Sequence, residues 1–429
     1  MMNTGLLHPT VDEGKTSSAI AASAQPAVQV TATSAASHLK YFGHFFTATG
    51  HQNAVAEHTN LSVIDWSFSS DNNLFVDLAV LKSKGNKAVI STPNLFTPRV
   101  NGVQYYNLLG NASLIWSSFM QQLVSRGFYD VANPENGTVI GFYPLDEPEL
   151  AGGMVDVNGA PSPKLVQIIN ILRSNYQSRF APLATCASIY YANAIEGYKL
   201  FDWVGLNAYM DKDDEYEGKF RHLRTLLNPN QKMILVPQAT IFKASNQTEQ
   251  DDYSYHSADR MLFIAQTEAS VLAIVPYQWN SEGNGITGII GLGSGAPELQ
   301  GLRQRYEQIG KQVKFAGANA SLVGYLIPTT MVAGGYYSIR VDMRNTGNVA
   351  WEPGVVFLGT QSPHDNTIWG SHRVWIPRRI QPGEIAQIVF DVMAPRTPGN
   401  YVMQGRMVAE EITWFGDLTA YHVVNVVAG

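Results

Sequence analysis

Gly141-Phe142-Tyr143-Pro144-Leu145-Asp146-Glu147-Pro148-Glu149 changes character abruptly along its length. Its first half is apolar and aromatic, the composition of a buried strand, and its second half sets three carboxylates around a proline. Pro148 has no N–H to give to a strand ladder, so the acids fall where a strand stops and a loop begins. Carboxylates beside a buried strand cost free energy unless they are paired, solvated or used in chemistry. The stretch predicts a strand whose C-terminal end carries an active site.

The rest of the first three hundred or so residues repeats this strand signal. Short apolar runs at Tyr41–Phe46, Leu61–Phe68, Lys87–Ser91, Thr138–Tyr143, Pro182–Ile189, Phe201–Tyr209, Lys232–Val236 and Val271–Trp279 read as buried strands. Helical spacing separates most of them. Ser70-Asp71 is expected to cap a helix through Phe75, Leu78 and Leu81, and Ser162-Pro163 to open one with Leu165, Ile168, Ile169 and Leu172 on one face. Others run from Ser113 to Gly127 and from Glu298 to Val313. Strands alternating with helices over residues 39–315 predict an α/β fold, a (β/α)8 TIM barrel. A doubly wound open sheet is the alternative, but no glycine-rich phosphate loop follows the first strand.

Composition narrows the function. Lys+Arg 29 against Asp+Glu 35 gives a net charge of −6 with no basic block, which argues against a nucleic-acid partner. The single Cys186 lies in an apolar run and permits neither an intramolecular disulfide nor a cysteine-based metal site. No apolar run is long enough for a membrane span, and neither a metal nor another cofactor is expected. Residues 1–38, rich in Ala, Ser and Thr without periodicity, read as a disordered leader or linker. Ala19–Ala24 has the small residues of a signal-cleavage region, but no basic and apolar leader precedes it.

In a barrel of this kind the active face collects the residues just past the C-terminal end of each strand. Those positions hold His44, Asp65 with Trp66, Asn94, the acids Asp146, Glu147 and Glu149, then Tyr190 and Tyr191, Asn207 with Tyr209, Gln238, and finally Gln278, Trp279 and Glu282. Aromatic rings beside amides and carboxylates suit a carbohydrate: rings cover the C–H faces of a sugar and polar groups bond its hydroxyls.

This barrel resembles the glycoside hydrolases of the large retaining clan A. There an Asn-Glu pair, often followed by Pro, ends strand four, and its Glu is the acid/base; Asp146-Glu147-Pro148 matches it here. The resemblance implies that Glu147 protonates the leaving glycosidic oxygen, and that Tyr209 and Trp279 fill positions such enzymes give to Tyr and Trp. It covers roughly residues 40–313. One departure stands out, because the clan's nucleophilic Glu at the end of strand seven is replaced by Gln238 in Val236-Pro237-Gln238. An amide cannot be that nucleophile. Glu282 or Asp65 could instead activate water in an inverting reaction, with carboxyls about 6.5–9.5 Å apart. Asp146 beside Glu147 could orient a substrate's own acetamido group as nucleophile. Or the barrel binds glycans without cleaving them. His44, Asp65, Asn94, Asn207, Tyr209, Gln238, Gln278 and Trp279 are the expected substrate contacts.

Plainer roles compete at several positions. Asp146 could pair with Lys164, Glu149 could be a solvated acid, and Trp66, Tyr190 and Tyr191 could simply pack. The acidic run Asp211, Asp213, Asp214, Glu215 and Glu217 matches no standard calcium loop and reads as a helix start.

Beyond about Phe315 strand alternation replaces helical spacing, with turns at Asn345–Asn348, Gln381–Glu384 and Thr397–Asn400, which predicts an all-β sandwich over residues 316–429. This segment resembles the Ig-like four-tryptophan (FW) domain through Arg344-Asn345-Thr346-Gly347-Asn348-Val349-Ala350-Trp351, Asp365-Asn366-Thr367-Ile368-Trp369-Gly370, Pro382-Gly383-Glu384 and Ile412-Thr413-Trp414-Phe415-Gly416-Asp417. The family's Gln-Trp-Arg-Met is Gln404-Gly405-Arg406-Met407 here, so one signature tryptophan is missing, and Trp375 is a candidate to refill its space. The resemblance implies a bacterial secreted or envelope protein, with a protein or cell-surface partner for the sandwich or a passive spacer role.

Overall fold

A computed structural model describes residues 38–429 apart from 46, 48–49, 67–70, 97–106, 152, 175–179, 244–250 and 284–287. All but His38 of the leader expected over residues 1–38, the capping Ser70 and the end of the first predicted strand at Phe46 lie outside the described residues.

Strands β1 Tyr41–Phe42, β2 Leu61–Asp65, β3 Lys87–Ser91, β4 Val139–Asp146, β5 Leu183–Ala187, β6 Trp203–Leu206, β7 Lys232–Leu235 and β8 Val271–Ile274 form one parallel sheet in the order β1-β8-β7-β6-β5-β4-β3-β2. The ends meet where Asn60 N donates to Phe42 O at 3.0 Å and Val63 N to His44 O at 3.4 Å, which closes the barrel. Gly43 makes that closure possible, because a Cβ there would lie 2.4 Å from the Leu61 carbonyl oxygen. One helix follows each strand: α1 Gln52–Val55, α2 Asp71–Lys84, α3 Ala112–Ser125, α4 Pro163–Arg173, α5 Ile195–Tyr198, α6 Asp213–Leu226, α7 Ala258–Thr267 and α8 Pro297–Phe315. The predicted cap holds at α4, where Ser162 Oγ accepts from Leu165 N and Leu165, Ile168, Ile169 and Leu172 are buried. The (β/α)8 architecture is the one the sequence predicts.

Two apolar layers hold the barrel together. Inside it, Leu61, Val63, Val89, Ile140, Tyr143, Cys186, Ile234 and Val275 pack together, while Ile64, Ile90, Phe142, Val204 and Leu235 face the helices. In β4 the alternation slips. Phe142 pairs with Leu183 but Leu145 pairs with Thr185, so β4 carries one extra residue around Pro144. Proline has no ladder N–H, and a bulge is where a strand interior tolerates it. Tyr143 and Asp146, three apart, consequently meet on one face.

Residues 320–427 fold as the predicted sandwich: β9 Ala320–Leu326, β10 Thr330–Val332, β11 Tyr336–Asn345, β12 Val356–Gln361, β13 Arg373–Trp375, β14 Ile385–Met393, β15 Gly399–Ala409, β16 Thr413–Leu418 and β17 His422–Val427. One sheet runs β9-β11-β14; the other runs β10-β17-β15-β12-β13, with β16 also on β15. Trp351 and Trp369 are buried. Trp375 does not refill the space beside Gly405: it stands 64% exposed, its ring edge-on to Phe357 at 5.0 Å. The sandwich meets the barrel through Arg379, which bonds the Ser83 carbonyl and pairs with Glu352 at 2.8 Å, and through Phe315 at the end of α8, which packs in the sandwich core.

Candidate active site

The acids at the end of β4 are held by different means. Asp146 Oδ1 accepts a hydrogen bond of 2.5 Å from the Tyr143 hydroxyl and a longer one of 3.4 Å from Asn207 Nδ2 at the end of β6. Burial, and then the negative charge of Asp146, push the Tyr143 phenol far up, so it stays a donor. The next residue, Glu147, has φ 41, the left-handed region that a side chain seldom adopts, and its N–H donates to Cys186 O at 3.0 Å. Burial first, then the charge of Asp146, push its carboxyl up to about 7, against an opposing hydrogen bond from Asn207 and with a smaller push from Glu149. Glu149 is not the solvated acid that composition suggests. Its carboxylate accepts from Ser188 N at 2.6 Å and from the Tyr198 hydroxyl, tying the loop after β4 to the one after β5. Lys164 does not reach Asp146 either, since it donates to Asn107 Oδ1 at 2.6 Å.

Across from these acids stands an aromatic wall. Tyr209 stacks on Tyr277 with ring centroids 4.8 Å apart, and Phe242 lies 5.9 Å from Tyr209. Burial and then the charges of Glu282, Asp146 and Glu147 raise the Tyr277 phenol, so all three acids act on one ring. Glu282 accepts from Gln278 Nε2 at 2.7 Å.

Other expected contacts are turned away. Gln238 is 0% exposed, and its amide is spent internally: Oε1 accepts from Met210 N at 2.7 Å, while Nε2 donates to Thr240 O and Asp252 Oδ2, both at 3.2 Å. It braces the β7 end and does not face a ligand. His44 is buried, 3.0 Å from His58 Nε2, and Trp279 closes over both with centroids 4.8 and 5.5 Å away, under the Arg303 guanidinium. The regular part of β8 stops at Ile274, short of the Trp279 that the sequence predicts, but its parallel pairing with β7 runs on in the same register: Leu235 faces Ile274 and Gln238 faces Tyr277, with Tyr277 N bonding Pro237 O and Ala239 N bonding Tyr277 O. Tyr277 takes the place over the acids, and Trp279 swings under the following turn. Asn94 donates to Trp66 O at 3.4 Å, and Trp66 itself stacks on Phe119 at 3.8 Å. Asp65 ends β2; its side chain lies outside the described residues, as do Asn284 and Gly285 of the loop after Trp279.

Sequence reading missed Tyr143 and Tyr277. Both sit in the runs it identified; Pro144 beside Tyr143 is the signal that alternation fails there, whereas Tyr277 continues the inward alternation of Ala273 and Val275. The acidic run after β6 starts α6 as expected and is used in ion pairs, Asp211 with Lys219 at 2.7 Å and Glu217 with Arg221 at 2.8 Å.

Residues 329–426 match the family model described as the Ig-like domain from next to BRCA1 gene. No curated protein matches the chain. Among solved structures, similarity extends to a calcium-binding mutant of Bacteroides uniformis β-glucuronidase 2, at TM-score 0.43 and 10% identity over 91% of this chain and 46% of that one. A GH113 β-mannanase from Alicyclobacillus acidocaldarius gives 0.41 and 10% over 63% and 97%, and a β-galactosidase from Marinomonas ef1 gives 0.43 and 10% over 64% and 59%. The chain spans about half the length of the β-glucuronidases it matches, 56% and 46%.

Proposed function

We propose that the barrel is a glycoside hydrolase acting on an oligo- or polysaccharide, with Glu147 as its general acid. One observation carries the reading: a carboxyl raised to about 7 sits beside a second carboxylate that a buried phenol and an amide hold in place. A general acid working near neutrality needs its proton at that pH, and desolvation next to a fixed negative charge supplies it. Glu147 would give its proton to the glycosidic oxygen as the anomeric C–O bond breaks. Asp146 keeps that proton on Glu147 until then and stabilises the positive charge that develops on the sugar. Tyr209 and Tyr277 offer ring faces to the sugar, and Asn207 offers an amide. Glu282 is the proposed base that takes a proton from the attacking water, because its charge converges with those of Asp146 and Glu147 on Tyr277. Inversion at the anomeric carbon follows from that assignment. A secreted or envelope location fits a polysaccharide substrate and belongs to the same proposal.

The test is reducing-sugar release over a panel of polysaccharides and aryl glycosides, with Glu147→Gln in parallel and the first-formed anomer read by NMR. Release that vanishes in the variant and gives the inverted anomer is expected. Tight oligosaccharide binding by calorimetry with no turnover would instead make the barrel a glycan-binding module.

A further inference from the structure

The interior of the sandwich divides into two clusters, one around Trp351 and one around Trp369. The division falls at Gly405. Along β15 the inward positions are Met403, Gly405 and Met407, and the middle one has no side chain. A cavity of about 320 Å³ fills the gap, walled by Ile339 and Val341 of β11, Leu358 of β12, Phe390 of β14 and Met403. Its size is at the lower end of small-molecule sites, about 300 Å³. Its inner wall is apolar, and such a wall favours an apolar molecule because it lacks the contacts a filled core would give.

The cavity opens between the edge strands β13 and β14, where Trp375 and Val389 stand 64% and 63% exposed. Charge at this mouth is unbalanced. Arg373 is engaged twice, with Glu410 Oε2 at 2.6 Å and with Asp365, while Asp391, also at the mouth, has no ion-pair partner among the described residues. An ammonium group there would meet the Asp391 carboxylate and the face of Trp375. We propose that this cavity binds a small aromatic amine, its ring taking the volume left by the side chain absent at Gly405 and its ammonium lying at the mouth beside Asp391 and Trp375.

Tryptamine is the probe, titrated calorimetrically into the full chain, with indole-3-acetate as the ring of opposite charge. The expected result is one site for tryptamine, at least tenfold weaker binding of indole-3-acetate, and a melting temperature raised by about 3 °C near saturation. Gly405→Leu fills the gap from β15. The atoms nearest a Cβ at that position are Cδ1 and Cγ of the flexible Leu358 side chain, at 3.0 and 3.3 Å, and the Gly359 carbonyl oxygen, at 3.3 Å. That variant should melt higher than the unaltered chain and lose tryptamine binding. Ile339→Phe closes the cavity from the opposite sheet and serves if Gly405→Leu does not fold. Asp391→Asn should weaken tryptamine roughly tenfold at unchanged stability. No binding to the unaltered chain, undiminished binding in the filled variants, or equal affinity for the acetate would each overturn the proposal.

Discussion

The mouth of the barrel and the interior of the sandwich both contain unusual space, and they keep it open by opposite means. At the barrel mouth the groups are polar, and each is fixed by a neighbour: Tyr143 holds Asp146, Asn207 reaches across from β6, and Gln238 braces the floor. Remove one donor there and a buried polar atom is left unpaired, which is costly. In the sandwich the gap beside Gly405 has an apolar inner wall, and its polar groups lie towards the mouth. It persists because the backbone around it is held, Gly405 N by Thr419 Oγ1 at 2.7 Å and Gly405 O by Thr419 N at 2.8 Å. A polar site is specified by its partners, whereas an apolar one is specified by the frame that prevents its collapse.

The largest expected effect separates the two at once. Glu147→Gln should lower kcat/KM by about 10²–10⁴-fold while the melting temperature stays put, measured with the substrate the panel identifies. A fall in stability of comparable weight would make Glu147 a structural acid. Next, Gln238→Glu restores a carboxylate at the β7 end, yet it should gain no activity and cost about 2–4 kcal/mol in urea unfolding, since it buries a charge beside Asp252. A gain in rate would show that the amide had merely vacated a catalytic position.

Acid tests a second polar device of the barrel, the His44–His58 pair. Burial lowers both imidazoles, His44 well below its ordinary value and His58 to about 4, the latter against an opposing pull from Glu307. Because the unfolded chain takes up protons first, this contribution is complete above about pH 6.5 and is lost as the pH falls through about 4, on the order of 2–3 kcal/mol. Replacing both histidines should flatten that part of a stability-versus-pH curve. The smallest effect belongs to Tyr143→Phe. Without its donor Asp146 ionises less readily, its push on Glu147 weakens, and Glu147 loses its proton at lower pH. The rate should drop roughly tenfold and the alkaline limb of the pH–rate profile, near 7 in the unaltered protein, should move down.

Much of this was legible in the sequence, and the residues that were not have a common cause. The eight buried strands show in composition, the acids of β4 in their abrupt onset, and the sandwich in its turns. What composition cannot report is which way a side chain faces once a strand is interrupted. At Pro144 a single extra residue brings Tyr143 round to Asp146. Past Pro276 the chain keeps its register on β7, so Tyr277 carries on the inward alternation of Val275 beside the acids, while Trp279 packs on His44. Gln238 misled for the same reason. The resemblance gives its place along the chain to a catalytic residue, but the atoms that claim its amide come from Met210, Thr240 and Asp252, and only folding brings them there.

Phe315 ties the two halves in a way that bears on how the molecule comes apart. The last helix of the barrel ends in a residue that belongs to the neighbouring core, and Arg379 returns the contact to Ser83. Heat should find no sequence of two separate meltings to exploit: loosening the sandwich strips α8 of its terminal anchor, and loosening the barrel pulls a wedge out of the sandwich. Proteolytic release of an intact sandwich would demand a cut on the barrel side of Phe315, within a helix, where a protease has no extended chain to grip.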